Sequence, residues 1–157
     1  IDIVPGDYNY YNHQIYYSTD PSRKISGGFD FSFGDYFDGK LTSTNTRLQL
    51  SPSPHFSLLA QYNRLHFDEV GTPSISKKTD LYTLSGRFAL NPRMQLIGFY
   101  QLNSENNLGN YNLRFSWEYQ PLSYIYLVFN HRGFDNVLAK RQTEDHSIMK
   151  LSYLKQL

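Results

Sequence analysis

The sequence predicts an all-β chain, an antiparallel transmembrane β-barrel or a C-terminal segment of one. About 8–10 strands are expected, with short turns at one end and longer loops at the other. Three observations predict this. Short alternating apolar and polar runs recur along the whole chain. Clusters of Pro, Gly, Asn and Asp separate them. Aromatics reach 17%, with 14 Tyr and 11 Phe, although apolar content is only 39%. A large ring with a polar tip suits a surface that is half apolar and half wet.

Nine runs can be placed, near 8–19, 24–37, 40–50, 55–68, 79–90, 94–103, 109–120, 123–132 and 145–154. Asp20-Pro21-Ser22-Arg23 separates the first two. Asp38-Gly39 is a hairpin signal before the third. Ser51-Pro52-Ser53-Pro54, Asn91-Pro92-Arg93 and Gln120-Pro121-Leu122-Ser123 mark further turns. Proline cannot donate to a ladder, so it bounds strands rather than interrupting them. The turns after runs one, three, five and seven all contain proline. The segments from Glu69 to Lys78 and from Gly133 to Glu144 read as longer loops, and both follow even-numbered runs. This parity orients the chain, with proline turns in the periplasm and longer loops outside. Nine is odd, whereas bacterial single-chain barrels have an even number of strands. Either the count is one too high or a strand lies upstream of the first run, and the second is expected.

Side chains alternate across a strand, so each run has two faces. Tyr111, Leu113, Phe115, Trp117 and Tyr119 share one face of the seventh run; Asn112, Arg114, Ser116 and Glu118 share the other. Phe29, Phe31 and Phe33 likewise oppose Asp30 and Ser32. A soluble sandwich or lipocalin-like barrel would turn the apolar face inward, and a membrane barrel would turn it outward. Periodicity alone leaves both open. The aromatics cluster toward the strand ends around an aliphatic middle, which favours a membrane barrel with two girdles. Phe29, Phe31, Phe33, Leu113, Phe115, Trp117, Tyr119, Tyr124 and Tyr153 are the expected lipid-facing and girdle residues. Asp30, Arg47, Arg87, Arg114, Glu118, Arg132 and Lys150 are expected in the lumen, joined in an Arg–carboxylate network. The alternative role for these cations is an anion-attracting lining.

Composition excludes several classes. There is no Cys, hence no disulfide or thiolate metal site. Net charge is +1, which gives no reason to expect nucleic acid. No apolar run approaches the ~18 residues of a membrane helix. The chain begins at Ile1 without a signal peptide, so it reads as a mature product, an excised domain or a fragment. His13, His55, His66, His131 and His146 are scattered without metal-ligand spacing. Asp30, Asp35 and Asp38 do not match an EF-hand loop. No nucleophile elbow or phosphate-cradling loop occurs. No catalytic residue, metal or cofactor is expected.

Two stretches carry a family resemblance. The first is Ser18-Thr19-Asp20-Pro21-Ser22-Arg23-Lys24, a Gly- and Phe-rich strand, then Tyr36-Phe37-Asp38-Gly39. The second is Asn112-Leu113-Arg114-Phe115-Ser116-Trp117-Glu118-Tyr119 before Pro121, then Tyr126-Leu127-Val128-Phe129-Asn130 and His146 through Tyr153. They resemble the barrel portion of large outer-membrane proteins that pair an N-terminal domain like the family-nine carbohydrate-binding modules with a C-terminal barrel of unknown function. The resemblance covers most of residues 1–157. It implies that the chain is the C-terminal part of a larger protein, and it supplies no catalytic residues. The terminal Leu157 departs from the aromatic that closes many outer-membrane proteins.

The expected role is a structural or transport-type, porin-like barrel segment in the outer membrane of a Gram-negative bacterium, not an enzyme. Its partners would be outer-membrane lipids, the barrel-assembly machinery, and an upstream part of the same protein or a partner subunit. The alternatives are a soluble secreted β-barrel binding a small hydrophobic ligand, and an outer-membrane lipid-modifying enzyme.

Overall fold

In the computed structural model, residues 3, 5–105, 108–135 and 141–154 are described. Among them there is no helix. Nine strands form one antiparallel sheet in sequence order. They are β1 (Asn12–Ser18), β2 (Ile25–Tyr36), β3 (Gly39–Ser53), β4 (Phe56–Val70), β5 (Ile75–Asn91), β6 (Met94–Asn103), β7 (Leu108–Gln120), β8 (Ser123–Asp135) and β9 (Arg141–Ser152). Each pairs only with its sequence neighbours, so β1 and β9 are edges and the sheet is not closed.

Proline and short polar residues set the turns at one end. Pro54-His55, Pro92-Arg93 and Pro121-Leu122 are two-residue connections. Leu122 takes a left-handed φ of 60°, and its amide donates to Glu118 Oε1 at 2.9 Å. In the 19–24 connection, the Ser22 amide and hydroxyl both donate to Asp20 Oδ1. Register shifts at Leu50/Ser53, Ala89/Asn91 and Glu118/Gln120 precede the three tight turns. Main-chain bonds then tie each strand to a neighbouring turn: Ser51 N to Lys24 O, Ala89 N to His55 O and Glu118 N to Arg93 O, each 2.7 Å.

The opposite end differs from the sequence reading. The expected loop from Glu69 to Lys78 contracts to residues 71–74, because β4 runs on to Val70 and β5 starts at Ile75. Alternation continues through Ser76, Lys77 and Lys78, whose polarity disguises a strand. The second expected long loop also shortens, with β8 reaching Asp135 and β9 starting at Arg141; residues 136–140 lie outside the described residues. The first strand is shorter than expected. Tyr8 and Tyr10 pack edge-on against Phe37, at 5.6 and 6.0 Å, instead of joining the ladder.

Two glycines permit close approach here. A Cβ on Gly39 would lie 2.4 Å from the Asp68 carbonyl oxygen, and one on Gly34 would lie 2.1 Å from that of Tyr11. Beside Gly39, Val70 is fully buried, and the Gly71 amide donates to Asp38 Oδ1 at 2.9 Å. Phe37 occupies the β2–β3 turn at a φ of 53°, which is costly for a bulky residue. Its ring lies against Tyr36 at 4.9 Å.

Candidate functional surface

Directly opposed residues share a face of a sheet, so the register assigns each face across all nine strands. One face carries Ile15 and Tyr17 on β1 and Phe29, Phe31 and Phe33 on β2. Thr46 and Leu48 follow on β3, then Leu58, Ala60 and Tyr62 on β4. Tyr82, Leu84 and Phe88 continue it on β5, and Leu96 and Tyr100 on β6. Leu113, Phe115 and Trp117 on β7 meet Ile125, Leu127 and Phe129 on β8, and these meet Met149 and Leu151 on β9. No Asp, Glu, Lys or Arg interrupts this band.

Charge resumes abruptly at the end opposite the proline turns. On the same face Asp35 opposes Lys40, Lys40 opposes Asp68, His66 opposes Lys78, Arg64 opposes Asp80, and His131 opposes Asp145. Arg64 Nε donates to Asp80 Oδ1 at 2.6 Å, and Tyr62 Oη donates to the same oxygen at 2.7 Å. His131 Nδ1 lies 2.6 Å from Asp145 Oδ1. Just inside this rim is a row of rings. Tyr62 stacks on Tyr82 at 5.0 Å, Tyr100 opposes Tyr111, and Tyr111 stacks on His131 at 4.5 Å. The uncharged band thus ends in tyrosines and then in ion pairs.

The other face is mixed. It carries Ser26, Gln49, Gln61, Ser85, Gln101, Asn112, Asn130 and Ser116, with Leu59, Phe99 and Ile148 among them. Four of the residues that the sheet buries, Ser26, Ala89, Leu108 and Ser116, lie on this face; Val70 and Ser123, also buried in the ladder, stand beyond register shifts at strand ends. Meanwhile Leu48 is 56% exposed and Met149 71%. The sheet therefore covers Ser26 and Ser116 on its mixed face while large apolar side chains stand bare, most of them on the other face. Only Val70, Ala89 and Leu108 are buried hydrophobics among the described residues, and all lie near strand ends.

Phe29, Phe31, Phe33, Leu113, Phe115 and Trp117 lie together on the apolar face. Tyr119 sits at the β7 register shift, its ring 6.3 Å from Trp117 and its hydroxyl donating to the Ser152 carbonyl. Tyr153 follows β9 and is 64% exposed. Tyr124 corrects the sequence reading. It opposes Glu118 and Ser152 and stacks on Tyr126, so it belongs to the mixed face. Alternation along β8 fixes that side, since Ile125 and Leu127 take the other.

Asp30, Arg47, Arg87, Arg114, Glu118, Arg132 and Lys150 all map to the mixed face. The expected Arg–carboxylate network among them does not form. Asp30 accepts from Gln14 Nε2 at 2.7 Å, Arg47 donates to Gln49, and Arg87 donates to the Pro54 carbonyl. Asp30 is a diagonal neighbour of Arg47, but each is bonded to a glutamine instead, and Glu118 accepts from the Leu122 amide. The Arg–carboxylate pair present among the described residues, Arg64–Asp80, lies on the opposite face. Sequence reasoning missed it because both residues fall inside expected runs, and only the β4–β5 register brings them opposite each other.

Among the described residues no group of three His, Cys, Asp or Glu could hold a metal ion. Asp20 lies in a turn, and its carboxyl is held below the ordinary value by the Ser22 hydroxyl, then by the Ser22 amide. No protein-family model matches the chain, and no curated protein sequence matches it.

Proposed function

We propose that this chain forms part of the wall of a bacterial outer-membrane β-barrel, with its apolar face toward lipid and its mixed face toward the lumen. The inverted burial carries this reading. Removing a Leu, Ile or Phe side chain from water is worth about 1.5–3 kcal/mol. A water-soluble sheet would cover Leu48, Leu84, Leu113 and Met149 before it covered Ser26 and Ser116. This sheet does the reverse.

The band and its rims support the same reading. From Tyr111 to Trp117 the apolar face runs about 20 Å at ~3.3 Å per residue. A membrane strand needs about 9–11 residues, whereas β4 has 15 and β5 has 17. Their surplus carries Arg64, His66, Lys78 and Asp80, which would stand in the headgroup region beyond the tyrosine row. The proline turns would face the periplasm. With nine antiparallel strands, β1 and β9 run the same way. All-antiparallel closure would need an odd number of further strands, from another part of the protein or from a partner subunit. The barrel is proposed as structural or transport-type, in contact with outer-membrane lipid and placed there by the assembly machinery.

Refolding into detergent micelles, with an aqueous control, tests this. A β-rich species that migrates differently before and after boiling, formed in detergent and absent from buffer, is expected. A stably folded species in plain buffer would overturn the reading in favour of a soluble barrel.

A further inference from the structure

We infer that the mixed face is an anion-attracting lining, so that the cargo or permeant class is small hydrated anions. This rests on the membrane reading above. Within the stretch where the apolar face is uncharged, the mixed face carries Arg47, Arg87, Arg114 and Lys150 against a single carboxylate, Asp30. Asp30 opposes Tyr16 and Asn45 and is occupied by Gln14. Glu118 lies at the proline end, where it accepts from the Leu122 amide. None of the four cations is in an ion pair among the described residues.

Their placement is ordered. Arg87 and Arg114 both oppose Ile97, from β5 and β7, in one cross-strand row. At ~4.8 Å per strand they stand about 10 Å apart. Lys150 opposes Tyr126, which opposes Ser116, one row from Arg114. Arg47 opposes Gln61 and faces a recess lined also by Ser18, Ser26, Asp30 and Gln49. Apart from Asp30 beside Arg47 and the Pro54 carbonyl that accepts from Arg87, the groups around them are amides, hydroxyls and aliphatics, which leaves the face with net positive charge. Cationic side chains along a narrow aqueous passage lower the barrier for anions and raise it for cations. A structural network would instead have paired these arginines with carboxylates.

Full-length protein is reconstituted, and its insertion is checked by flotation with phosphatidylcholine vesicles. The reversal potential is then read in planar bilayers of the same lipid under a KCl gradient. Chloride preference is expected. The double variant Arg87→Gln/Arg114→Gln should reduce the chloride-to-potassium permeability ratio several-fold. Arg64→Gln, on the apolar face, should leave the ratio unchanged. Cation preference, or a ratio indifferent to the double variant, would overturn the inference. So would protein that floats with vesicles but passes no current, which leaves the membrane reading standing. Protein that does not float overturns both.

Discussion

Arg64 and Asp80 face each other across the β4–β5 ladder, with Nε 2.6 Å from Oδ1. The Tyr62 hydroxyl donates to the same carboxylate, and the Asp80 amide donates to the Ser104 hydroxyl oxygen. The four residues tie β4 and β5 to the turn after β6, at the level where the uncharged band ends. Arg64 is 46% exposed, so water screens the pair and its contribution is small. Arg64→Gln and Asp80→Asn should each destabilise only slightly. The double variant should cost less than the sum. Urea unfolding of the refolded protein in a double-mutant cycle measures the coupling, and strict additivity would show that the pair is incidental.

The face assignment predicts an asymmetry between two arginine substitutions. Leu113→Arg places a charge in the uncharged band and should cost about 2–4 kcal/mol of folding stability in lipid. Gln101→Arg, on the mixed face between Thr83 and Asn110, should cost less than about 1 kcal/mol. Equilibrium unfolding from lipid vesicles gives both values. A larger loss at Gln101 than at Leu113 would mean that the faces are reversed.

Gly39→Ala should destabilise by about 1–3 kcal/mol, since the added methyl needs backbone movement. Its Cβ would meet the Asp68 and Glu69 carbonyls and Val70 Cγ2 at 2.4–2.7 Å. Gly98→Ala is the control, because its Cβ would meet only Leu113 Cδ1 at 3.7 Å, an ordinary contact. Thermal unfolding should separate the two variants clearly. Equal behaviour would contradict the close approach at Gly39.

The Asp20 carboxyl sits below the ordinary value of 3.8 because the Ser22 hydroxyl and amide hydrogen-bond its charged form. A depressed folded value means that the turn's stabilisation is complete above the ordinary carboxylate range. It is lost as pH falls through the folded value. The NMR shift of the Ser22 amide should therefore stay constant from neutral pH to about 4 and move only on further acidification. A titration midpoint above the ordinary value would refute the turn geometry.

All nine strands were legible in the sequence because alternation and proline placement act locally. Pro54, Pro92 and Pro121 fall in two-residue turns, where a missing amide costs nothing. What the sequence did not show depends on register. Tyr62–Tyr82, Arg64–Asp80 and Phe67–Lys77 follow one hairpin register, which shifts between Phe67 and Val70. Without that shift, nothing local announces that Arg64 meets Asp80 or that Lys77 and Lys78 are strand residues. Tyr124 was grouped by its ring and its place near a strand end, whereas alternation within β8 puts it with Tyr126, opposite Ile125 and Leu127. The arginines of the mixed face were identified by alternation, but their lack of carboxylate partners needed the ladder.

The sole tryptophan gives the most direct test of the central claim. Trp117 lies on the apolar face, 39% exposed, near the proline end. The protein is refolded into vesicles containing brominated lipids, and Trp117 emission is compared with that in unbrominated vesicles. The account predicts blue-shifted emission that brominated acyl chains quench strongly. Folded protein whose Trp117 emission is indifferent to brominated lipid would contradict it.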